Sequence, residues 1–340
     1  MSRHAFIVGG TGQIGRAVTS DLLEHGWRVT VSHRGNRPLP NDLVERGANI
    51  VILDRDKPGE LARALESGAD ALLDTIAFRP EHAHQLIELQ DNVGTFVVIS
   101  SSSVYCDALG RTLDEAAQNG FPELPVPIPE TQPTVDPGPA TYSTRKIALE
   151  HTLFDDATTP VTVLRPGPIH GPGSRLPREW WFVKRILDGR KVIPLPRGRS
   201  RFHTTSVGNI AALTRVVIEA PANRVLNIAD PSPPSVAEIA ASITRHLGYK
   251  GQIVEVPGEV FPPDLEAPYS VERPFILDVR AAGELGYSPT TTYADAVKLT
   301  CNWLVETASD GDWQERFPYF RSASDPFDYA EEDRLLDAYA

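Results

Sequence analysis

The stretch AFIVGGTGQIG (5–15) decides the reading of the chain. Four apolar residues, the length of a buried strand, run straight into glycines at positions 9, 12 and 15. Beyond them Ile14, Val18 and Leu22 recur at the period of an amphipathic helix. Strand, glycine turn and helix in this order are close to the dinucleotide-binding fingerprint. Glycine permits the tight turn, lets the backbone approach a pyrophosphate and lets helix pack on strand. The helix N-terminus then turns N–H groups and a positive dipole end toward phosphate.

Outward from this unit the alternation continues. VTV (29–31), IVIL (50–53), ALLDTIA (71–77), TFVVIS (95–100) and VTVLR (161–165) read as strands. ELARALES (60–67), HAHQLIEL (82–89) and residues 142–154 carry helical spacing between them. The pattern predicts an α/β fold: a Rossmann-like, doubly wound parallel sheet. Seven prolines in 121–139 predict an extended surface loop, and RPGPIHGPG (165–173) predicts a second. Later pieces are a strand VLNIA (225–229), a helix opened by Ser235 with Glu238 in a capping-box pattern, and an amphipathic segment at 293–305.

Composition narrows the class. Of 340 residues, 41% are hydrophobic and 23% charged, as in an ordinary soluble globular protein. A net charge of −12 disfavours nucleic acid and anionic membranes as partners. No apolar run approaches the roughly 18 residues that span a bilayer, and the N-terminus lacks the longer apolar core of a signal peptide. Cys106 and Cys301 make no disulfide framework, so a reducing, cytoplasmic setting is expected. His82 and His84 diverge on a helix, and no metal site is expected.

The end of the second strand discriminates between nicotinamide cofactors. An acid there suits the ribose 2′-hydroxyl of NAD, and a cation suits the 2′-phosphate of NADP. SHRGNRP (32–38) holds no acid, so NADP is expected, with Arg34 the first candidate and Arg37 the second, and NAD as the alternative. Asp54, after the third strand, is a candidate acceptor for the adenine amino group, with a plain loop aspartate as the alternative.

YSTRK (142–146) puts Tyr142 and Lys146 on one helix face, one turn apart. A nearby ammonium favours the phenolate. Bringing a phenol of pKa ~10 near neutrality requires roughly 4 kcal/mol, to which a bound oxidised nicotinamide would add its positive charge.

With ISSSSVY (99–105), Glu130, LRPGPIHGPG (164–173), LNIAD (226–230) and ELGYSPTTT (284–292), these motifs resemble the extended short-chain dehydrogenases/reductases of the NAD-dependent epimerase/dehydratase family. The resemblance covers roughly residues 5–305. It implies a cofactor domain over 1–165 with a returning segment near 203–230, and a smaller substrate lobe over 166–202 and 231–307. The acidic, aromatic tail at 308–340 is left without a role. It also implies catalysis by Ser101, Tyr142 and Lys146. Tyr142 would exchange a proton with the substrate oxygen, Ser101 would hydrogen-bond that oxygen, and Lys146 would hold the nicotinamide ribose. Cofactor contacts would come from Gly9, Thr11, Gly12, Gln13, Ile14, Gly15, Ala77 and Lys146, and a homodimer would form through helices near 80–90 and 142–155. The family's dehydratases carry acids where this chain has Ser102 and Ser103, which argues against elimination and leaves alcohol/ketone redox or epimerisation.

Nine basic residues against two acids between Arg175 and Arg201 suggest a small-molecule substrate that is anionic or nucleotide-linked. Against this, RFHTTSVGN (201–209) has Gly208 and Asn209 where the family's sugar-nucleotide enzymes often show two acids. The runner-up is an epimerase that retains NAD. A third class is a nucleotide-sensing or RNA-associated relative, disfavoured by the intact Ser/Tyr/Lys set.

Overall fold

The computed structural model describes residues 3–257, 265–309, 311–320 and 325–339. In chain order its strands are β1 (His4–Val8), β2 (Arg28–His33), β3 (Asn49–Ile52), β4 (Ala71–Asp74), β5 (Phe96–Ile99), β6 (Val161–Pro166), β7 (Ile169–His170), β8 (Val192–Pro196), β9 (Thr205–Ser206), β10 (Arg224–Ile228) and β11 (Gln252–Val256). The chain divides into two compact units. The first runs through Gly167 and regains Val207–Ala229 and Leu277–Thr290; the second holds Pro168–Ser206, Asp230–Ile276 and the residues from Thr291 on.

The first unit is built on a seven-stranded sheet in the order β10-β6-β5-β4-β1-β2-β3. Every pairing is parallel. β1, β4, β5 and β6 are buried at each position, as strands covered on both faces must be. Phe6, Leu72, Phe96, Val98 and Val163 fill the core on one face. From β1 the order runs to β2 and β3 on one side and to β4 on the other, and ligands of open α/β sheets bind beside such a reversal, beyond the strand C-termini. Register brings those ends level: Val8 pairs with Ser32 and Asp74, and Asp74 with Val98.

Two expectations change. The strand read over 71–77 stops at Asp74, because its Oδ1 accepts the Ile76 N–H at 2.9 Å and turns the chain. The proline-rich loop is not confined to the surface. Ile128 and Phe121 are buried, and the Ile128 carbonyl accepts from Asn227 Nδ2 at 3.0 Å and from the Asp278 N–H at 2.8 Å. An apolar anchor with satisfied backbone costs nothing inside, which a proline count cannot reveal.

Within the second unit β8 pairs with β11 and β7 with β9. Trp180, Phe182, Ile239 and Val297 form its core, and Phe317, Phe320 and Phe327 from the acidic tail join that cluster. Arg185 and Glu332 form an ion pair with no side-chain exposure. Phe317, Phe320 and Phe327 are core residues of this unit, with Trp313 and Tyr329 packed against them and Tyr319 exposed, while the tail's described acids, Glu332 apart, lie mostly on the outside.

Candidate active site

The cradle is set by close packing. Gly9 has φ +79°, and a Cβ there would stand 2.5 Å from Thr75 Oγ1. A Cβ on Gly15 would stand 2.5 Å from Gly10 Cα, so only glycine lets the helix Gln13–Glu24 start against the loop. That helix has Gly12 as its N-cap and no side-chain cap, leaving its first turn for an anionic ligand. Thr11 and Ile14 are buried, and the Thr11 carbonyl accepts from Arg16 Nε at 2.8 Å. Gln13 Oε1 is buried without a hydrogen-bond partner among the described residues. A buried acceptor in that state costs about 1–3 kcal/mol, which a donor on a bound ligand would recover. Glycine cradle, uncapped helix and orphaned acceptor together fit a dinucleotide.

At the end of β2, Arg34 and Arg37 are exposed. Arg37 lies close enough to lower the pKa of Arg16, behind the larger effect of burial. Arg16 follows the third glycine and was not singled out by sequence reasoning. Its signal was available, since the first turn of this helix faces the loop after β2. The Gly35 N–H donates to His33 Nδ1 at 3.0 Å, which leaves the ring proton on Nε2. Nε2 is buried and lacks a partner among the described residues. Asp54 Oδ1 accepts the Asp56 N–H at 3.2 Å, so part of that carboxylate caps its own turn.

The catalytic candidates meet at the ends of β4 and β5 and the start of the helix Tyr142–Asp156. Thr141 and Thr144 close a capping box there, and Asp114 Oδ2 accepts the Ser143 N–H at 2.7 Å. Lys146, on that helix, is buried and donates to the carbonyls of Ala77 at 2.7 Å and Ile99 at 2.8 Å. Its Nζ lies 5.7 Å from the centre of the Tyr142 ring. The Tyr142 ring packs on Phe78 with centroids 5.4 Å apart. Ser101 lies beside the phenol, near enough to pull its pKa down.

Electrostatics differ from expectation. Desolvation by its neighbours pushes the Tyr142 phenol up and Asp114 adds to that, while Ser101 pulls it down; the residue as a whole keeps 45% of its surface exposed, which tempers the upward push. Lys146 is not among the groups that move it. The reason is local, because burial lowers Lys146 itself to about 8, against the partial support of Asp74 and Glu150. A lysine whose folded pKa is depressed binds fewer protons folded than unfolded. Stability from this group therefore rises as pH climbs from about 8 toward 10.5. Lys146→Met is expected to flatten the denaturant-stability profile across that window; an unchanged slope refutes the burial argument.

Beneath the site, Arg165 Nη2 bonds Glu150 Oε2 at 2.6 Å, and Ser100 bonds the same carboxylate. Arg165 stacks 5.1 Å from the Tyr105 ring, whose hydroxyl donates to Asn227 Oδ1 at 2.7 Å. Arg55, bonded to Asp74 and at 3.0 Å to Gln85 Oε1, is a similar buried pair under the cofactor loop. None of these pairs has a sequence signal, because their members lie far apart in the chain. Among the described residues no group of His, Cys, Asp or Glu is arranged to hold a metal, and no helix is long and apolar enough to cross a membrane.

Comparisons with known proteins agree with this geometry. A Streptomyces protein named 3-diazoavenalumate denitrifying reductase is 24% identical over 257 residues, 71% of this chain and 81% of its own. The dTDP-L-rhamnose 4-epimerase of Burkholderia thailandensis is 29% identical over 166 residues, 46% of each chain. A solved UDP-N-acetylglucosamine 4-epimerase from Methanobrevibacter ruminantium M1, in complex with UDP-N-acetylmuramic acid, superposes with a TM-score of 0.68. It shares 17% identity over 90% of this chain and 99% of that one. The model of the NAD dependent epimerase/dehydratase family matches residues 5–229. Sheet, glycine cradle and matched sequence coincide, and the chain belongs to the NAD-dependent epimerase/dehydratase family of extended short-chain dehydrogenases/reductases.

Proposed function

We propose that this protein is an NADP-preferring oxidoreductase that interconverts a secondary alcohol and a ketone on a polar, anionic or nucleotide-linked substrate. The observation that carries the reading is the convergence of the Tyr142 phenol, Ser101 and the Lys146 ammonium. When bound, a nicotinamide supplies or accepts the hydride at the carbon bearing the reacting oxygen. In reduction Tyr142 gives its proton to that oxygen, and in oxidation its phenolate takes the proton back. Ser101 holds the oxygen in place. Lys146, anchored on two carbonyls, keeps a donor for the ribose and a positive charge below pH about 8.

The NADP preference is supported by Arg16, Arg37 and the unpartnered His33 Nε2–H near the β2 terminus. Charge-assisted bonds to a phosphate are each worth about 1.5–3 kcal/mol. NADPH is therefore expected to bind at least ~10-fold more tightly than NADH, about 1.4 kcal/mol. Arg37→Ser is expected to erase most of that ratio while sparing NADH. Fluorescence titration of both nucleotides checks it, and an equal or reversed ratio in the wild type sinks the preference.

A second reading, an epimerase that returns hydride to the same substrate, is favoured by the partial likeness to the rhamnose 4-epimerase. NAD co-purifying with the chain, without net consumption of added nucleotide during turnover, would select it.

A further inference from the structure

One peptide group ties the candidate site to a histidine outside it. Lys146 Nζ donates to the Ala77 carbonyl at 2.7 Å, and the N–H of the same peptide, on Phe78, donates to His82 Nδ1 at 3.0 Å. The Phe78 ring packs on Tyr142 with centroids 5.4 Å apart. His82 stands in the first turn of the helix Pro80–Ile87 and is 7% exposed. We propose that His82 is a positioning residue for Lys146, acting through the Ala77–Phe78 peptide and only as the neutral imidazole with its proton on Nε2. Its bearing on catalysis rests on reading Lys146 as the group that holds the nicotinamide ribose.

A peptide group is planar, with its carbonyl and N–H pointing in opposite directions. Turning this plane away from His82 therefore also takes the carbonyl off Lys146, and the two bonds stand or fall together. They strengthen each other as well, because an N–H that donates leaves its carbonyl a better acceptor. The Lys146 ammonium has three protons, of which the Ala77 and Ile99 carbonyls take two, leaving the third for a ligand. With the Ala77 carbonyl lost, the buried ammonium has fewer acceptors and its charge is harder to keep.

Only one state of His82 can serve. Nδ1 accepts the Phe78 N–H, so the proton of the neutral ring sits on Nε2, which faces Asp56 Oδ1 at 3.4 Å. In the imidazolium Nδ1 carries a proton and cannot accept. Burial holds the His82 pKa below its usual 6.5, with Arg55 and Arg79 adding to that and Asp74 and Asp56 opposing it. Neutral pH therefore finds the ring in its accepting form. Around Lys146 itself, Asp74 and Glu150 favour the ammonium and Arg55 opposes it. A change at His82 replaces none of these three.

The test is an NMR titration of the full, nucleotide-free chain, isotope-labelled at the lysine ε-carbons. The chain has six lysines, and Lys146→Met assigns the resonance. In His82→Leu the Lys146 midpoint is expected to fall by about one pH unit, a tenfold change in ionisation constant. His82→Asn puts a carboxamide oxygen where Nδ1 stood and is expected to keep that constant within about threefold of wild type. A midpoint unchanged or raised in His82→Leu overturns the proposal, and so does an asparagine variant that falls as far as the leucine one. Should His82→Leu fail to fold, a long-range proton–nitrogen spectrum of the wild-type imidazole at neutral pH carries the test. A proton on Nε2 is expected there, and a proton on Nδ1 overturns the assignment. NADPH affinity is expected to fall about tenfold in His82→Leu. A midpoint that falls while affinity holds would support the positioning of Lys146 and overturn its reading as the ribose-binding group.

Discussion

Tyr142→Phe is expected to lower turnover by about 10³-fold, within the usual worth of a positioned acid/base, while nucleotide affinity stays within about twofold. The separation follows from what each atom holds. The phenylalanine ring keeps its packing on Phe78, 5.4 Å away in the wild type. Lys146 is tied to the Ala77 and Ile99 carbonyls and does not depend on the phenol for its place. Ser101 still accepts the Ser103 N–H at 3.1 Å. Only the proton donor is lost. Turnover is read as NADPH oxidation with a ketone that the wild type reduces, and affinity by fluorescence titration. Activity retained within tenfold would remove Tyr142 from the chemistry and the proposed mechanism with it.

How far the sequence reached depends on the range of the interactions involved. Strand–glycine–helix alternation is local, and AFIVGGTGQIG sufficed for the cofactor half of the sheet. The capping box at Ser235 and Glu238 is equally local and forms as read. Tyr142 and Lys146 share a face because four residues make one turn. What escaped was long-range or electrostatic. The Glu150–Arg165 pair needs β6 beside the helix Tyr142–Asp156, and the bond between Ser103 and Ser143 spans forty residues of chain. The upward push on Tyr142 came from desolvation by neighbours and from Asp114, which no spacing discloses. Aromatic residues of the 308–340 tail looked idle because a principal partner, Trp180, lies far upstream.

Gly12→Ala and Gly15→Ala should fail in opposite ways, and the contrast tests whether the cradle is kept for a ligand or for the fold. Gly12 has φ −75° and ψ 169°, extended backbone open to any residue. An added Cβ there meets only the Gly9 carbonyl oxygen, at 3.3 Å, and a shift of a few tenths of an ångström relieves it. Stability of Gly12→Ala is therefore expected within about 0.5 kcal/mol of wild type, as for a change that touches no packed group. Under the proposed reading, however, the methyl occupies the face reserved for the pyrophosphate. Displacing the phosphates from the first-turn N–H groups forfeits charge-assisted bonds of about 1.5–3 kcal/mol each. Nucleotide affinity is expected to fall by about 100-fold, near 2.7 kcal/mol. Gly15 is the converse case. Its Cβ would stand 2.5 Å from Gly10 Cα and 2.8 Å from the Gly10 carbonyl carbon, against backbone with no side chain to yield. Overpacking of that kind costs about 1–3 kcal/mol, so Gly15→Ala is expected to lower the denaturation midpoint and to weaken nucleotide binding through the distorted loop. Denaturant unfolding and nucleotide titration of both variants decide the matter. If Gly12→Ala binds nucleotide as well as wild type, the loop is a packing device and the dinucleotide reading of the cradle falls.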